Sequence, residues 1–167
     1  MNELSLQQFC VDASNIRAHR MGRPWSRGKW TWATNGHVLL RMNRLSGVEE
    51  NPKAPDAEGL FFRTDPASNW MPVPVAVMPP MIDCDECDGT GVYEDTFHGQ
   101  VFSEDCERCN HTGKVKQLIG VKVGDAYFDQ GYLSMLQGWE ISPNGLKQAW
   151  IRNGDGVAGL LMPMKRP

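Results

Sequence analysis

No stretch of this sequence approaches the roughly 18 consecutive apolar residues of a membrane span, so none of its segments reads as a transmembrane helix. Met1 to Leu6 show no basic start followed by an apolar run, so the expectation is a chain without a secretory signal, working in a reducing cytoplasmic setting. Positive charge is scarce in one segment. Residues 81–109 hold Arg108 alone against nine acids, a net of 1 − 9 = −8, which argues against phosphate contact there. Also missing are a Ser/His/Asp order, a phosphate-cradling glycine loop and a convincing pair of catalytic carboxylates. Nothing in the sequence asks for enzymatic activity.

What the acidic segment does hold is cysteine, four of the five in the chain. Cys84-Asp85-Glu86-Cys87-Asp88-Gly89-Thr90-Gly91 is followed, after eighteen residues between the inner cysteines, by Cys106-Glu107-Arg108-Cys109-Asn110-His111-Thr112-Gly113. Two Cys-x-x-Cys pairs at this separation supply four thiolates, the ligand set of a closed tetrahedral structural zinc site. The glycines beyond each pair permit positive φ, so backbone amides can turn toward the sulfurs. The competing reading is two disulfides, and a reducing compartment weighs against it. Cys84, Cys87, Cys106 and Cys109 are therefore expected to hold one structural Zn2+ that contributes directly to folding. His98 and His111 lie close by in sequence, but four cysteines complete the shell, so each is at best a replacement ligand. Cys10, beside Phe9 and Val11, reads as a small buried hydrophobe rather than a nucleophile.

A chain of 167 residues with 41% apolar content can bury one core, to which the cysteine segment adds a small metal-held lobe. Residues 1–48 carry seven Arg and Lys against two acids, or +5, and suit an anionic partner. Leu6, Phe9, Ala13, Ile16 and Arg20 fall at helical spacing across residues 4–20, with Ser5 as N-cap and Gly22 and Pro24 as the stop. Residues 30–34 and 37–41 read as a hairpin about an Asn35-Gly36 two-residue turn. Residues 46–59 read as a loop, 60–63 as a short strand, and 72–80 as extended chain that its prolines confine to an edge or a linker. After the lobe come strands at 117–123 and 126–128, then a helix over 129–137 capped by Asp129 and ended by Gly138. Strands at 139–142, 146–151 and 157–162 close the chain. Helix followed by antiparallel hairpin thus occurs twice. The expectation is an α+β domain with two helices on one face of antiparallel sheet, formed by 1–81 and 117–167, with the lobe of 82–116 inserted between the halves.

Three segments resemble the bacterial DNA polymerase sliding clamp, the beta subunit. Thr31 to Arg41 (Thr-Trp-Ala-Thr-Asn-Gly-His-Val-Leu-Leu-Arg) is similar to that family's Ala-Thr-Asp-Gly-His-Arg-Leu hairpin. Phe128 to Leu136 resembles the Tyr-Leu-containing helix before the clamp's last strands, and Val157 to Arg166 resembles its closing strand, which ends in Met-Pro-Met-Arg. The resemblance implies a DNA-clamp-like fold built of two β-α-β-β-β units and a role in replication or repair. It implies that Arg17, Arg20, Arg23, Arg27 and Lys29, with Trp25 and Trp30 interleaved, would meet double-stranded DNA without reading its sequence. The plain alternative is a solvated basic helix end and loop. It also implies that Met162, Pro163 and Met164 would line a cleft for a partner protein's peptide, against the alternative that Met162 is core. The chain departs from the family in three ways. It has length for one clamp domain, so a ring would need a homo-oligomer; Asn35 replaces the hairpin Asp; and the clamp has no cysteine insertion. Cys84 to Gly91 instead resembles the Cys-x-x-Cys-x-Gly-x-Gly repeat of DnaJ-type chaperones, from which the second copy departs at His111. Three functional readings stand side by side: a non-enzymatic clamp-like binding module, a zinc-held adaptor whose acidic lobe grips a basic partner, and a metalloenzyme with an open metal position.

Overall fold

A computed structural model describes residues 3–13, 15–65, 67–97 and 100–165, so His98 and Arg166 lie outside the described residues. The chain runs α1 (Glu3–Gln7), α2 (Ala18–Met21), β1 (Trp25–Arg27), β2 (Trp30–Thr34), β3 (Val38–Asn43), α3 (Ala57–Arg63) and β4 (Met71–Pro72). The cysteine segment contributes β5 (Met81–Asp83), β6 (Val92–Phe97), β7 (Gln100–Asp105) and β8 (Lys114–Lys116). It continues through β9 (Gly120–Val123), β10 (Ala126–Asp129), α4 (Gln130–Met135), β11 (Glu140–Ser142), β12 (Ala149–Arg152) and β13 (Ala158–Leu161). The architecture is α+β and mostly β.

One seven-stranded antiparallel sheet organises the molecule in the order β1-β2-β3-β13-β12-β11-β4. Leaving out the two-residue β4, the order is palindromic about the β3–β13 pair. There Arg41 faces Ala158 and Leu39 faces Leu160, so the third strand of the first half meets the last strand of the chain. The second half, from β10 to β13, has the element order β-α-β-β-β.

Helices and loops pack on both faces of the sheet. On one, Leu6 of α1, Phe9 just after it, Leu133 of α4 and its C-cap Leu136 pack with Ala33, Leu40, Ile141, Ile151 and Leu161. The central strands β2, β3 and β13 are buried along most of their length, as strands packed on both faces are. On the other, α3 presents Phe61, whose ring meets Trp32 at 5.2 Å and Trp150 at 5.1 Å in edge-on geometry.

Four expectations are corrected. The helix over 4–20 is two short pieces, and Ser5 lies inside α1 rather than capping it. Asn15 Oδ1 accepts the Arg17 amide, and Asn15 N donates to Asp12 O, so local polar bonds win over helix propagation and leave Ile16 exposed. Residues 60–63 are helix, not strand, because Asp56 accepts the Gly59 amide at 3.0 Å as N-cap and Phe61 finds its core on the sheet. The loop of 46–59 accordingly ends at this helix. The Asn35-Gly36 connection is longer than two residues: Thr34 pairs with Leu39, and Asn35 Oδ1 gathers the amides of His37 and Val38. The Pro-rich stretch does begin on a sheet edge, where Pro72 pairs with Glu140.

Candidate metal centre

The cysteine segment is closed off at its neck by β5 pairing with β8, Met81 opposite Lys116 and Asp83 opposite Lys114. Lys114 Nζ donates to Asp83 Oδ1 at 2.5 Å across the same neck. Beyond it, β6 and β7 form a two-stranded arm from Val92/Asp105 to Phe97/Gln100. Between neck and arm the two Cys-x-x-Cys turns face each other.

The turns repeat one set of bonds. Gly89 N and His111 N donate to the carbonyls of Cys84 and Cys106, at 3.0 and 3.2 Å. Thr90 and Thr112 hydroxyls each donate to the carbonyl of the second cysteine, Cys87 or Cys109, at 2.6 Å. The turns also bind each other: Cys84 N donates to Gly113 O and Cys106 N to Gly91 O, both at 2.9 Å. Gly91 (φ +85) and Gly113 (φ +69) are required twice over, since a Cβ on either would collide with the carbonyl of His111 or Gly89 in the facing turn. His111 itself adopts positive φ, where the first turn has glycine.

This framework buries all four sulfurs, with Cys84 and Cys106 at 0% exposure and Cys87 and Cys109 at 6%. Their ligand atoms all lie within 4.8 Å of one another. Sγ of Cys84 is 3.8 Å from that of Cys106, and Cys87 is 3.7 Å from Cys109. A disulfide needs about 2.05 Å, so the two-disulfide reading is overturned and the cysteines are free thiols. Tetrahedral zinc–sulfur bonds of about 2.3 Å put neighbouring sulfurs about 3.8 Å apart, so the spacing fits one tetrahedral ion. Four buried cysteines here can hold a metal.

Two backbone amides favour thiolate at the sulfurs, and burial opposes it. Gly91 N donates to Cys87 Sγ at 3.2 Å and Gly113 N to Cys109 Sγ at 3.3 Å. The Tyr93 hydroxyl lies 3.4 Å from Cys106 Sγ and donates to Glu86 Oε2 at 2.8 Å. Turned toward the sulfur instead of Glu86, that hydroxyl would lower the Cys106 thiol, whereas burial pushes Cys84 up and Cys109 up to about 11. A bound dication would overcome both of the latter by displacing their protons. Arg108 reaches back to Asp85 at 3.0 Å and Glu86 at 3.3 Å, and His111 Nδ1 faces Asp105 at 3.0 Å rather than the sulfurs. Tyr93 and Arg108 are supports that spacing does not announce, whereas the shared Thr-Gly ending of both turns is a visible sign of Thr90 and Thr112.

The other predicted residues are more scattered. Arg17 and Arg23 flank α2, Arg20 lies in its last turn, and Arg20 Nε is tied to Lys53 O at 3.0 Å. Arg27 and Lys29 belong to the β1–β2 hairpin at the sheet edge, with Trp30 half-buried and Trp25 buried. Met162 is 40% exposed and lines an apolar cleft of about 150 Å3 with Met21, His37, Leu60 and Leu160, so the reading of Met162 as core fails. Met164 turns away: its amide donates to Tyr127 O at 2.8 Å and its sulfur lies beside Gly120. Pro163 is not among the cleft's lining residues. His37 stacks on Tyr132 at 5.7 Å, a structural partnership. Cys10 is half-buried and its thiol is pushed up to about 11 by burial, which suits a packing role.

Comparison of the chain with protein-family models, curated proteins and solved structures finds no match. Among the described residues no helix is long and apolar enough to cross a membrane.

Proposed function

We propose that this protein is a non-enzymatic, clamp-like binding module whose four-cysteine centre carries one structural zinc. The observation that carries the reading is the convergence of four buried sulfurs within 4.8 Å of one another, two of the pairs at 3.7 and 3.8 Å, because a metal with four sulfur ligands has no open position for a substrate. The metal then acts as a staple, joining turns that contribute no side chains to either core of the main sheet.

The clamp-like part of the reading is supported by the palindromic sheet, the β-α-β-β-β order of the second half and the cleft beside Met162. On this reading the protein acts in or on DNA replication or repair through protein contacts, with sequence-independent contact to duplex DNA through Arg17, Arg20, Arg23, Arg27 and Lys29. A second reading, an adaptor with no DNA role, is favoured by the exposed acids Glu94, Glu104 and Glu107 of the lobe, which suit a basic protein partner.

A labelled duplex titrated with zinc-loaded protein across a salt series separates the two. Clamp-like DNA contact predicts affinity that falls steeply with salt, whereas absence of binding at low salt leaves the adaptor. Capture of partners from host extract on wild-type and Met162→Glu protein then tests whether the cleft receives a peptide.

A further inference from the structure

The face of the main sheet that carries α3 is only partly covered by it, and the open part has an unusual composition. Directly opposed residues on antiparallel strands lie on one face. The pairings therefore place Arg27, Trp30 and Asn43 in one row. Trp32, Arg41, Ala158, Arg152 and Glu140 form the next row. Phe61 of α3 packs over the Trp32 and Trp150 end, leaving Lys29, Asn43 and Arg152 exposed and Arg27, Trp30, Arg41 and Trp70 half-buried.

The charges here are set against rings. The Arg41 guanidinium lies 4.3 Å from the Trp30 ring centre and 4.6 Å from that of Phe61, and Lys29 Nζ lies 5.1 Å from Trp30. Arg152 lies 4.1 Å from the ring of Trp70. Arg41 Nε is buried with no hydrogen-bond partner, so its charge is held by π-faces. Four cations, Arg27, Lys29, Arg41 and Arg152, share this surface with Glu140, which pairs with Arg152 at 2.7 Å, and Glu58, which acts on Arg41. Trp30 on β2 and Arg152 on β12 are three strand spacings apart, or about 14 Å at about 4.8 Å each.

We propose that this open sheet face, built on Lys29, Trp30, Arg41, Trp70 and Arg152, is a binding platform for single-stranded nucleic acid. Unpaired bases stack on the Trp30 and Trp70 rings, Arg41 fixes Trp30 from beneath, and the exposed Lys29 and Arg152 meet the phosphates. A duplex keeps its base faces stacked internally and offers none to these rings; an acidic peptide has the charge but no planar groups for them. The platform goes beyond the reading above, which invokes duplex contact through the edge and α2 cations; Lys29 is common to both, whereas Arg41, Trp70 and Arg152 belong to the platform alone.

The test is fluorescence anisotropy of a labelled thymidine oligonucleotide of about 20 residues with zinc-loaded full-length protein at about 50 mM salt. Binding with Kd between about 1 and 100 μM, weakening steeply toward 200 mM salt, is expected. The double variant Lys29→Ala/Arg152→Ala should weaken it at least about tenfold, while Lys116→Ala/Lys122→Ala, exposed cations on strands outside the main sheet, leaves it within about twofold. Trp30→Leu should weaken it as well, and Lys29→Glu, an exposed change with little bearing on folding, provides the same readout should Trp30→Leu unfold. No binding at about 100 μM, equal affinity for duplex, or equal competition by polyglutamate would each overturn the proposal. Duplex binding without single-strand binding would overturn it while leaving the clamp-like reading intact.

Discussion

The amide of Gly91 donates to the sulfur of Cys87 at 3.2 Å, and its carbonyl receives the amide of Cys106 from the opposite turn. One glycine thus serves a ligand of its own turn and fixes the first ligand of the other. Gly113 does the same in reverse, for Cys109 and Cys84. Gly91→Ala and Gly113→Ala should each lower zinc affinity by about 10- to 100-fold, measured by competition with a chromophoric chelator. Affinity within twofold of wild type would show that the turns tolerate a Cβ where the geometry forbids one.

Loss of a ligand should act locally. The four cysteines cluster with Val115, separately from both cores of the main sheet. Cys87→Ser should therefore abolish stoichiometric zinc and speed amide exchange in 81–116, while β2, β3, β12 and β13 keep their protection. Collapse of the whole sheet on metal loss would contradict this separation.

Phe61 and Phe62 are neighbours with opposite fates, 5% and 82% exposed. Phe61→Ala removes a ring packed edge-on against two tryptophans and should cost about 3 to 5 kcal/mol in denaturant unfolding of the zinc-loaded protein. Phe62→Ala should stay within about 0.5 kcal/mol.

These two residues also show why part of the fold is illegible in sequence. Leu60-Phe61-Phe62-Arg63 has strand-forming rings, and only the Asp56 cap and the distant Trp32 and Trp150 make it a helix. The 4–20 pattern reads as one helix because periodicity is blind to Asn15, whose side chain captures a backbone amide. The pairing of β3 with β13 joins residues more than a hundred positions apart and leaves no local trace. The metal centre is legible because its ligand spacing, turn glycines and repeated Thr-Gly are all local. Its outer supports, Tyr93 and Arg108, and the cation-bearing sheet face depend on tertiary placement and are not.

Cys10 supplies a pH-dependent check. Burial raises its thiol from 9.0 to about 11, so the folded state holds the proton more tightly than the unfolded state. The resulting stability is fully present below pH 9 and is lost as pH rises through about 11. The raised pKa leaves far less thiolate at pH 8, so Cys10 of the zinc-loaded protein should alkylate at least about 10 times more slowly than after denaturation, as followed by mass spectrometry. Equal rates would place the thiol in solvent.

The most direct test is zinc K-edge X-ray absorption on purified protein together with metal analysis. One zinc per chain with four sulfur neighbours at about 2.3 Å is the expected result. A metal-free protein whose residues 81–116 stay folded and unchanged by chelator, or a zinc shell with fewer than four sulfurs, would contradict the account.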